Sequence, residues 1–280
     1  MRIPFVNRFT CSPKQLPIII EQVKKKQMIP ILDNINENGK DYQKNYKKIL
    51  ETITKYPMST FAIKLSSLNI TEPKHEYSKV LDDVHQICDT AIDNCSKIII
   101  DAEQVFINDK IDEVSDLMMK TYNKSNVNVY KTYQMYRRDT MSKYLANLKE
   151  ERDYFIGAKI VRGAYYNEDI STSLLFSQIE HTHRAYDDAI RYFTENCTSK
   201  DKLLCATHNF KSNDIAKNYI HNGKKNIEIG HLLGMADYLS EELVGEGIPV
   251  YKYIPFGEFN ETLPYLSRRL YENYPLIKHM

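Results

Sequence analysis

Two adjacent arginines near the end of the chain carry the most distinctive chemistry in this sequence. They lie in YLSRRLYEN, where Tyr265, Arg268, Arg269 and Glu272 recur at the three- and four-residue spacing of one helix face. Because a planar guanidinium matches a carboxylate through two parallel hydrogen bonds, the pair suits a small anionic ligand, with Glu272 orienting Arg268. The alternative is a solvated helix face whose Arg–Glu pair contributes roughly a few tenths of a kcal/mol.

A lysine and a histidine stand at the ends of short apolar runs. In TFAIKLSSL, two-residue alternation places Lys64 on the same face as Ala62. Burial of an unpaired charge is costly, so Lys64 either binds a ligand or forms a structural ion pair with Asp101. His208, in ATHN, is by similar reasoning either a ligand contact or a satisfied structural histidine.

The glycine in VRGAYY permits a close approach of the backbone to another group. Gly163 follows an apolar run and precedes a helix-like segment. A residue without a Cβ at that point lets the chain lie against a phosphate or a ring, although the motif does not identify the ligand.

Eight short apolar or β-branched runs alternate with segments of helical spacing, such as residues 76–95. Each run is bounded by polar residues, glycine or proline, as expected for buried parallel strands. Eight such repeats in one chain predict a (β/α)8 barrel, with residues 1–280 forming a single domain. The runs are 28–33, 60–65, 97–101, 127–133, 158–162, 203–207, 226–229 and 250–254.

A doubly wound dinucleotide-binding sheet is the alternative α/β fold. It should show GxGxxG after its first strand, and the nearest match, GEGIPV, lacks the third glycine and precedes a strand. The barrel is therefore preferred, and its chemistry should lie at the carboxyl ends of the strands. The polar residues at those ends are Asp33, Glu37, Lys64, Asp101, Gln134, Lys159, Arg162, Thr207, His208, Asn209 and Tyr253.

The composition argues against several classes of protein. The 280 residues carry a formal net charge of +1, which gives no reason to expect nucleic acid or a membrane surface as partner. Five cysteines without a CxxC spacing indicate reduced thiols rather than disulfides or a zinc site, so no metal is expected. No stretch approaches the ~20 apolar residues of a membrane helix and no cleavage signal is visible, so a cytoplasmic protein is expected.

Several segments together resemble the flavin-dependent proline dehydrogenases. They are FAIKLSSL, IIIDAEQ, VYKTYQMY, KIVRGAYY, CATHN, HLLGMAD and VYKYIPFGEFNETLPYLSRRLYEN, in the family's order. The resemblance implies a barrel with FAD at its mouth that oxidises L-proline to 1-pyrroline-5-carboxylate and passes electrons to a quinone or another acceptor. The residues are consistent with a bound flavin, because protein side chains do not accept a hydride and the oxidation therefore requires a cofactor.

The resemblance also implies roles for individual residues. The substrate-binding residues would be Lys64, Tyr253, Tyr265, Arg268 and Arg269, the cations holding the proline carboxylate and the tyrosines packing on its ring. Asp101 and Lys159 would be catalytic, Glu37 would pair with Arg268 as a gate over the substrate, and Glu272 would orient the arginines. The cofactor-binding residues would be Ala102, Gln134, Val161, Arg162, Gly163, Ala164, Tyr166, Thr207, His208 and Asn209.

Two departures from the family pattern bear on function. His231 stands where the more similar members have a glutamine, so a loop near the cofactor is expected to differ. The chain lacks the long N-terminal extension of the mitochondrial members, so neither mitochondrial import nor membrane attachment is expected. Two alternatives stay open: a dehydrogenase of a related imino acid such as hydroxyproline, and a catalytically inactive binding homologue with the same pocket.

The arginine pair generates a first prediction. Arg269→Met should weaken proline binding severely while FAD stays bound, since a desolvated charge-assisted pair contributes about 1.5–3 kcal/mol. Arg269→Lys should restore only part of the affinity, because lysine lacks the planar fork. The measurement is steady-state kinetics with proline, together with the flavin absorbance. Unchanged kinetics in Arg269→Met would remove the carboxylate clamp.

Overall fold

Eight parallel strands form a closed barrel in the order in which they occur along the chain. The computed structural model describes residues 6–35, 41–70, 74–258 and 262. Each of the eight predicted runs overlaps one strand, which confirms the (β/α)8 barrel. The strands are β1 (Ile29–Asn34), β2 (Thr60–Ile63), β3 (Lys97–Ile100), β4 (Val129–Gln134), β5 (Gly157–Val161), β6 (Lys202–Ala206), β7 (Ile227–Leu232) and β8 (Val250–Phe256).

An outer layer of helices surrounds the barrel. Helices α1 (Val6–Phe9) and α2 (Leu16–Lys25) precede β1. The helices between successive strands are α3 (Tyr42–Lys55), α4 (Lys74–Asp93), α5 (Val105–Tyr122), α6 (Thr140–Lys149), the single turn α7 (Tyr166–Asp169), α8 (Ile179–Asn196), α9 (Phe210–His221) and α10 (Asp237–Gly245). The segment that carries the paired arginines lies outside the described residues, so the assignment of residues 1–280 to one domain stays a prediction.

The helices pack on the barrel through one apolar face. In α8, Tyr186, Ala189, Ile190 and Phe193 are buried at helical spacing, and they form one stripe that faces β5 and β6. Burial of this stripe, more than intrinsic helix propensity, stabilises such a helix. Among the described residues, the helices do not combine the length and the apolar content required to cross a bilayer.

The interior of the barrel is filled below its mouth. Strand alternation points Ile31, Ala62, Ile99, Leu204 and Tyr251 inward, where they form a buried apolar cluster. Because this cluster fills the interior, a ligand has to bind at the carboxyl ends of the strands, which is the face where barrels place their sites.

A buried carboxylate ties three strands together near their amino-terminal ends. Glu228 of β7 accepts hydrogen bonds from the hydroxyls of Tyr130 and Tyr251, at 3.0 and 3.1 Å. Burial, followed by the charge of Glu228, raises the pKa of both tyrosines well above the ordinary value, so both phenols remain donors. Because each oxygen of the carboxylate has a donor, Glu228 is accommodated in apolar surroundings.

The first residue of β5, Gly157, lies close against β4 and the residues before it. A Cβ added at Gly157 would lie 2.3 Å from the carbonyl oxygen of Val129 and 2.6 Å from Cγ1 of Val127. The carbonyl is part of the backbone of β4, so it cannot withdraw without disturbing the pairing of the two strands. A glycine at the start of β5 is therefore required by close packing.

Gly157→Ala should lower the free energy of unfolding by about 1–3 kcal/mol, as expected for an overpacked site. The measurement is equilibrium denaturation in urea. The matched control is Gly245→Ala at the end of α10, where an added Cβ meets open space and where we expect no loss. A Gly157→Ala protein as stable as the wild type would contradict the close approach of β4 and β5.

Candidate active site

Four buried charged residues at the carboxyl ends of the strands form two ion pairs. Nζ of Lys64 lies 2.8 Å from Oδ1 of Asp33, and Nζ of Lys159 lies 2.6 Å from Oδ1 of Asp101. None of the four exceeds 8% exposure. The pairing of Lys64 with Asp101 that the sequence left open as an alternative is wrong, because Lys64 lies against Asp33 of β1 and Asp101 lies against Lys159 of β5.

The carboxylate of Asp101 is the centre of a hydrogen-bond network. Besides the Lys159 ammonium, it accepts from the Tyr253 hydroxyl at 2.6 Å and from the Thr132 hydroxyl at 3.3 Å. Burial by itself favours the neutral acid, but the Lys159 and Lys64 ammonium groups outweigh it and hold the pKa of Asp101 below its ordinary value. Asp101 is therefore ionised at neutral pH and acts as a negative charge.

Tyr253 of β8 is held in place by both members of this ion pair. Its hydroxyl donates to Asp101, and Nζ of Lys159 lies 4.8 Å from the centre of its ring. A cation over an aromatic face contributes about 0.5–2 kcal/mol. The half-buried ring of Tyr253 thus forms a fixed aromatic wall at the mouth of the barrel.

The two ion pairs are electrically balanced, with two ammonium groups and two carboxylates. A carboxylate ligand added to them would give the buried site an excess of negative charge, which is unfavourable. Counting the described residues alone, the charges of the site balance, so further cations, such as the predicted arginines, would favour a substrate with a carboxylate. The predicted residues Glu37, Tyr265, Arg268, Arg269 and Glu272 lie outside the described residues.

Gln134, a predicted cofactor contact, joins the loops after β3 and β5. Its Nε2 donates to the carbonyl oxygen of Glu103 at 2.8 Å, and its Oε1 accepts from the amide of Ala164 at 3.3 Å. Ala102, which precedes Glu103, is buried in the same loop. The structure therefore shows Gln134 positioning these loops, while contact of Gln134 or Ala102 with a cofactor stays a prediction.

The loop after β5 is shaped by the contact of Gly163 with an aromatic ring. Gly163 has φ +143°, and an added Cβ would lie 2.3 Å from the ring of Tyr136. The Tyr136 hydroxyl in turn donates to Asp169 of α7 at 2.6 Å. A side chain at position 163 would therefore displace both the ring and the loop. Three other predicted cofactor residues near this loop are half-buried or exposed: Val161 at the end of β5, Ala164 in the loop and Tyr166 at the start of α7.

A second polar cluster surrounds Arg162, where β5 ends beside α8 and α9. The guanidinium donates from Nε to Nδ1 of His183 at 2.8 Å, from Nη1 to the Thr207 hydroxyl at 2.6 Å, and from Nη2 to the Ser212 hydroxyl at 2.9 Å. The central carbon of the guanidinium, Cζ, lies 4.5 Å from the centre of the Tyr186 ring. All three acceptors are uncharged, so the positive charge of Arg162 is suited to an anionic ligand.

Two predicted cofactor residues after β6 also organise this second cluster. The Thr207 hydroxyl accepts from Arg162, and Oδ1 of Asn209 accepts from the amide of Ser212 at 3.1 Å. The second bond caps the amino-terminal end of α9. Thr207 and Asn209 therefore place Arg162 next to the beginning of a helix.

His208 lies between the same helix and β7 as a neutral ring. Its Nε2 accepts from the amide of Leu232 at 2.9 Å, so the neutral ring carries its proton on Nδ1. Burial, followed by the charges of Lys252 and Arg162, lowers the pKa of His208 to about 4. At neutral pH this histidine can therefore donate a hydrogen bond from Nδ1 but carries no charge.

His231 lies behind His208 and joins β7 to two helices. Nδ1 lies 2.7 Å from the Ser240 hydroxyl of α10, and Nε2 lies 3.3 Å from Oδ1 of Asn213 of α9. Burial and the nearby His208 lower the pKa of His231 to about 2, so it stays neutral. The centres of the two histidine rings are 5.7 Å apart, and Asn213 in turn donates to the carbonyl oxygens of Thr207 and Asn209. His231 therefore reaches the predicted cofactor residues only through its neighbours.

The roles predicted from the sequence omit four residues of these two clusters. The sequence could have identified Asp33, because it is the polar residue that ends the first apolar run. It could also have identified Thr132, because two-residue alternation places it on the same face of β4 as Gln134. The other two, His183 and Ser212, belong to helices. A helix places a side chain against a strand end by its rotation and offset, which the sequence pattern does not show.

Comparison with known proteins places the chain near one group of enzymes. The sequence model of the family described as Proline dehydrogenase matches residues 20–276. Mitochondrial proline dehydrogenase 1 of Dictyostelium discoideum is 32% identical over 228 residues, which are 75% of this chain and 39% of that protein. The hydroxyproline dehydrogenase of Xenopus laevis is 31% identical over 211 residues, 69% of this chain and 45% of that protein. The chain thus spans less than half the length of these curated relatives.

A solved structure shares the fold. Proline utilization A of Bdellovibrio bacteriovorus, in a form inactivated by N-propargylglycine, superposes with a TM-score of 0.87 and 19% sequence identity. The superposition covers 97% of this chain and 33% of that one. At 19% sequence identity, this structural similarity supports the barrel fold and nothing more specific.

Removal of the Asp101 carboxylate should leave a buried cation without its ion-pair partner. We expect Asp101→Ala to lower the free energy of unfolding by about 3–5 kcal/mol, because Lys159 stays buried. Tyr253→Phe, which removes one hydrogen bond to the same carboxylate, should lower it by about 0.5–1.5 kcal/mol. Equilibrium denaturation at pH 7 measures both, and equal losses in the two variants would contradict the central position of the ion pair.

The lowered pKa of Asp101 gives this contribution a defined pH dependence. The unfolded chain binds a proton near the ordinary value of 3.8, whereas the folded protein binds it only at a lower pH. The stability due to ionisation is therefore complete above 3.8 and is lost as the pH falls through the folded pKa. The difference between wild type and Asp101→Ala should shrink in that acid range and stay constant from pH 5 to pH 7.

Proposed function

Because the chain belongs to the proline dehydrogenase family, we propose that it oxidises L-proline to 1-pyrroline-5-carboxylate with FAD as its bound cofactor. The observation that carries the proposal is the buried network of Asp101, Lys159 and Tyr253 at the mouth of the barrel. Buried charged groups at the mouth of a barrel are expected of a ligand site, and as a purely structural device they would cost more free energy than apolar residues.

The described residues fit a flavin dinucleotide on two counts. Arg162, with three uncharged acceptors, offers a cation to a phosphate, and α9 begins beside it, where a helix attracts anions. Gly163 admits the ring of Tyr136 against the backbone and so shapes the loop that follows Arg162. We propose that the FAD is held by Ala102, Gln134, Val161, Arg162, Gly163, Ala164, Tyr166, Thr207, His208 and Asn209.

The residues of the chain would bind and orient proline. When bound, FAD supplies the two-electron acceptor that no protein side chain provides. Lys64, together with Arg268 and Arg269, binds the carboxylate of proline, and the fixed ring of Tyr253 packs on its pyrrolidine ring. Glu37 pairs with Arg268 as a gate over the substrate, Glu272 orients Arg268, and Tyr265 packs on the pyrrolidine ring.

Asp101 has an electrostatic role in this proposal. Oxidation of an amine to an imine builds positive charge on the nitrogen and the adjacent carbon, and a preorganised carboxylate stabilises that charge. Because its pKa is held below the ordinary value, Asp101 is a weak base at neutral pH. It therefore serves as a counter-charge and as the anchor of Lys159 and Tyr253, and the amine proton of proline is not assigned to it.

A hydroxyproline dehydrogenase is the second candidate, and the similarity to the Xenopus laevis enzyme of that name supports it. Tyr253 favours proline, because an aromatic wall anchored to Asp101 leaves less room for a hydroxyl on the ring. For either substrate we propose a quinone-type acceptor for the electrons of the reduced flavin. The resemblance of the sequence to quinone-linked flavoenzymes supports this step.

One experiment tests the cofactor and the reaction together. The purified protein should carry flavin that heat or acid releases and that chromatographs as FAD. Anaerobic addition of proline should then bleach the flavin absorbance. A protein that takes up no FAD on reconstitution would sink the enzyme proposal. Bound FAD that neither proline nor hydroxyproline bleaches would instead support an inactive binding homologue.

The position of Tyr253 generates a prediction about substrate choice. A hydroxyl pressed against this wall is expected to disfavour trans-4-hydroxyproline by at least about tenfold in kcat/KM relative to proline. Tyr253→Ser should narrow the difference, mainly by losing activity on proline. The measurement is flavin reduction by each imino acid in stopped flow.

The control for this prediction is Tyr251→Phe, on the same strand but bonded to Glu228 below the mouth. It should leave the ratio of the two substrates unchanged. Equal rates and affinities for proline and hydroxyproline in the wild type would show that Tyr253 does not line the substrate site.

A further inference from the structure

The orientation of Arg162 depends on one acceptor that differs in kind from the other two. Two of its bonds go to the hydroxyls of Thr207 and Ser212, which accept hydrogen bonds at any pH. The third goes to Nδ1 of His183, 2.8 Å from Nε of Arg162. A ring nitrogen accepts only when it is unprotonated, so this bond exists only for the neutral imidazole.

The bond to His183 fixes the plane of the guanidinium. Nε lies at the base of the group, and the bonds from the two terminal nitrogens are made to residues after β6 and on α9. The Ser212 hydroxyl, in turn, donates to Asp187 of α8 at 2.5 Å. With the ring of Tyr186 against one face, the guanidinium is held on three edges and on one face.

The charges around His183 favour its neutral form. Burial and then the positive charge of Arg162 lower its pKa below 6.5, and Lys211 of α9 acts in the same direction. Asp187 and Glu180 of α8 act in the opposite direction, but they do not reverse the shift. The acceptor on Nδ1 is thus present at neutral pH and is lost as the pH falls through the pKa of the folded state.

We propose that His183 is a positioning residue that holds Arg162 toward a phosphate of the bound dinucleotide, and that its protonation releases Arg162 and weakens FAD binding. The inference rests on the proposed FAD function. Protonation removes the acceptor and places two cations in contact, so Arg162 must turn away from His183. Phosphate contacts that require a fixed guanidinium plane are then lost.

The test is the dissociation constant of FAD between pH 5 and pH 8, measured by quenching of flavin fluorescence during reconstitution. In the wild type the constant should rise severalfold toward pH 5, and by no more than about thirtyfold, because proton linkage limits the effect of a group whose pKa lies below 6.5. In His183→Asn it should be nearly constant over this range. The Asn carbonyl can accept from Nε of Arg162 but does not titrate.

Two further variants separate positioning from general effects of acid. His181→Asn, one half-turn earlier on α8 and in contact with Phe176, should keep the pH dependence of the wild type. His183→Ala, which lacks an acceptor, should bind FAD at pH 8 more weakly than the wild type and His183→Asn do at the same pH. His208 does not confound the measurement, since its pKa lies near 4.

The outcomes distinguish this inference from the proposed function. Absence of FAD binding at pH 8 would sink the proposed function and the inference with it. FAD binding with the same pH dependence in wild type and His183→Asn would overturn the inference alone. Tighter binding at low pH, abolished in His183→Asn, would also overturn it, because the imidazolium would then contact the phosphate itself.

Discussion

The carboxylate of Asp101 is the group on which the mouth of the barrel depends. Thr132 of β4, Lys159 of β5 and Tyr253 of β8 all donate to it, so one buried anion joins three strands at their carboxyl ends. It is tolerated in this position because an ammonium and two hydroxyls replace the water that it loses on folding. The same contacts order the lysine and the aromatic ring before a ligand arrives, which reduces the entropy lost on binding.

The barrel divides stability from ligand chemistry along its axis. Tyr251 and Tyr253 are two positions apart on β8, so both point inward but at different heights. Tyr251 bonds to Glu228 among apolar side chains, whereas Tyr253 bonds to Asp101 at the mouth. Family membership and fold do not by themselves choose the substrate. In the proposed function, side chains of the upper level select the substrate and the flanking cluster around Arg162 holds the cofactor.

Much of this organisation follows from the sequence alone. The eight apolar runs predicted all eight strands, since a strand buried on both faces requires a short, nearly continuous apolar segment. Alternation within the second run also placed Lys64 on the same face as Ala62, inside the barrel. These properties are local, because the two-residue period of a strand depends on backbone geometry and on nothing farther along the chain.

The identity of each polar partner was decided by the tertiary structure. The sequence left open an ion pair between Lys64 and Asp101. In the structure, the stagger of the strands instead pairs Lys64 with Asp33 and Asp101 with Lys159. His181 and His183 lie two positions apart on α8, and the rotation of that helix brings His183 to Arg162. Ion pairs and hydrogen bonds require atoms within about 3 Å. Such distances depend on the stagger and rotation of elements far apart in the chain, which no local pattern records.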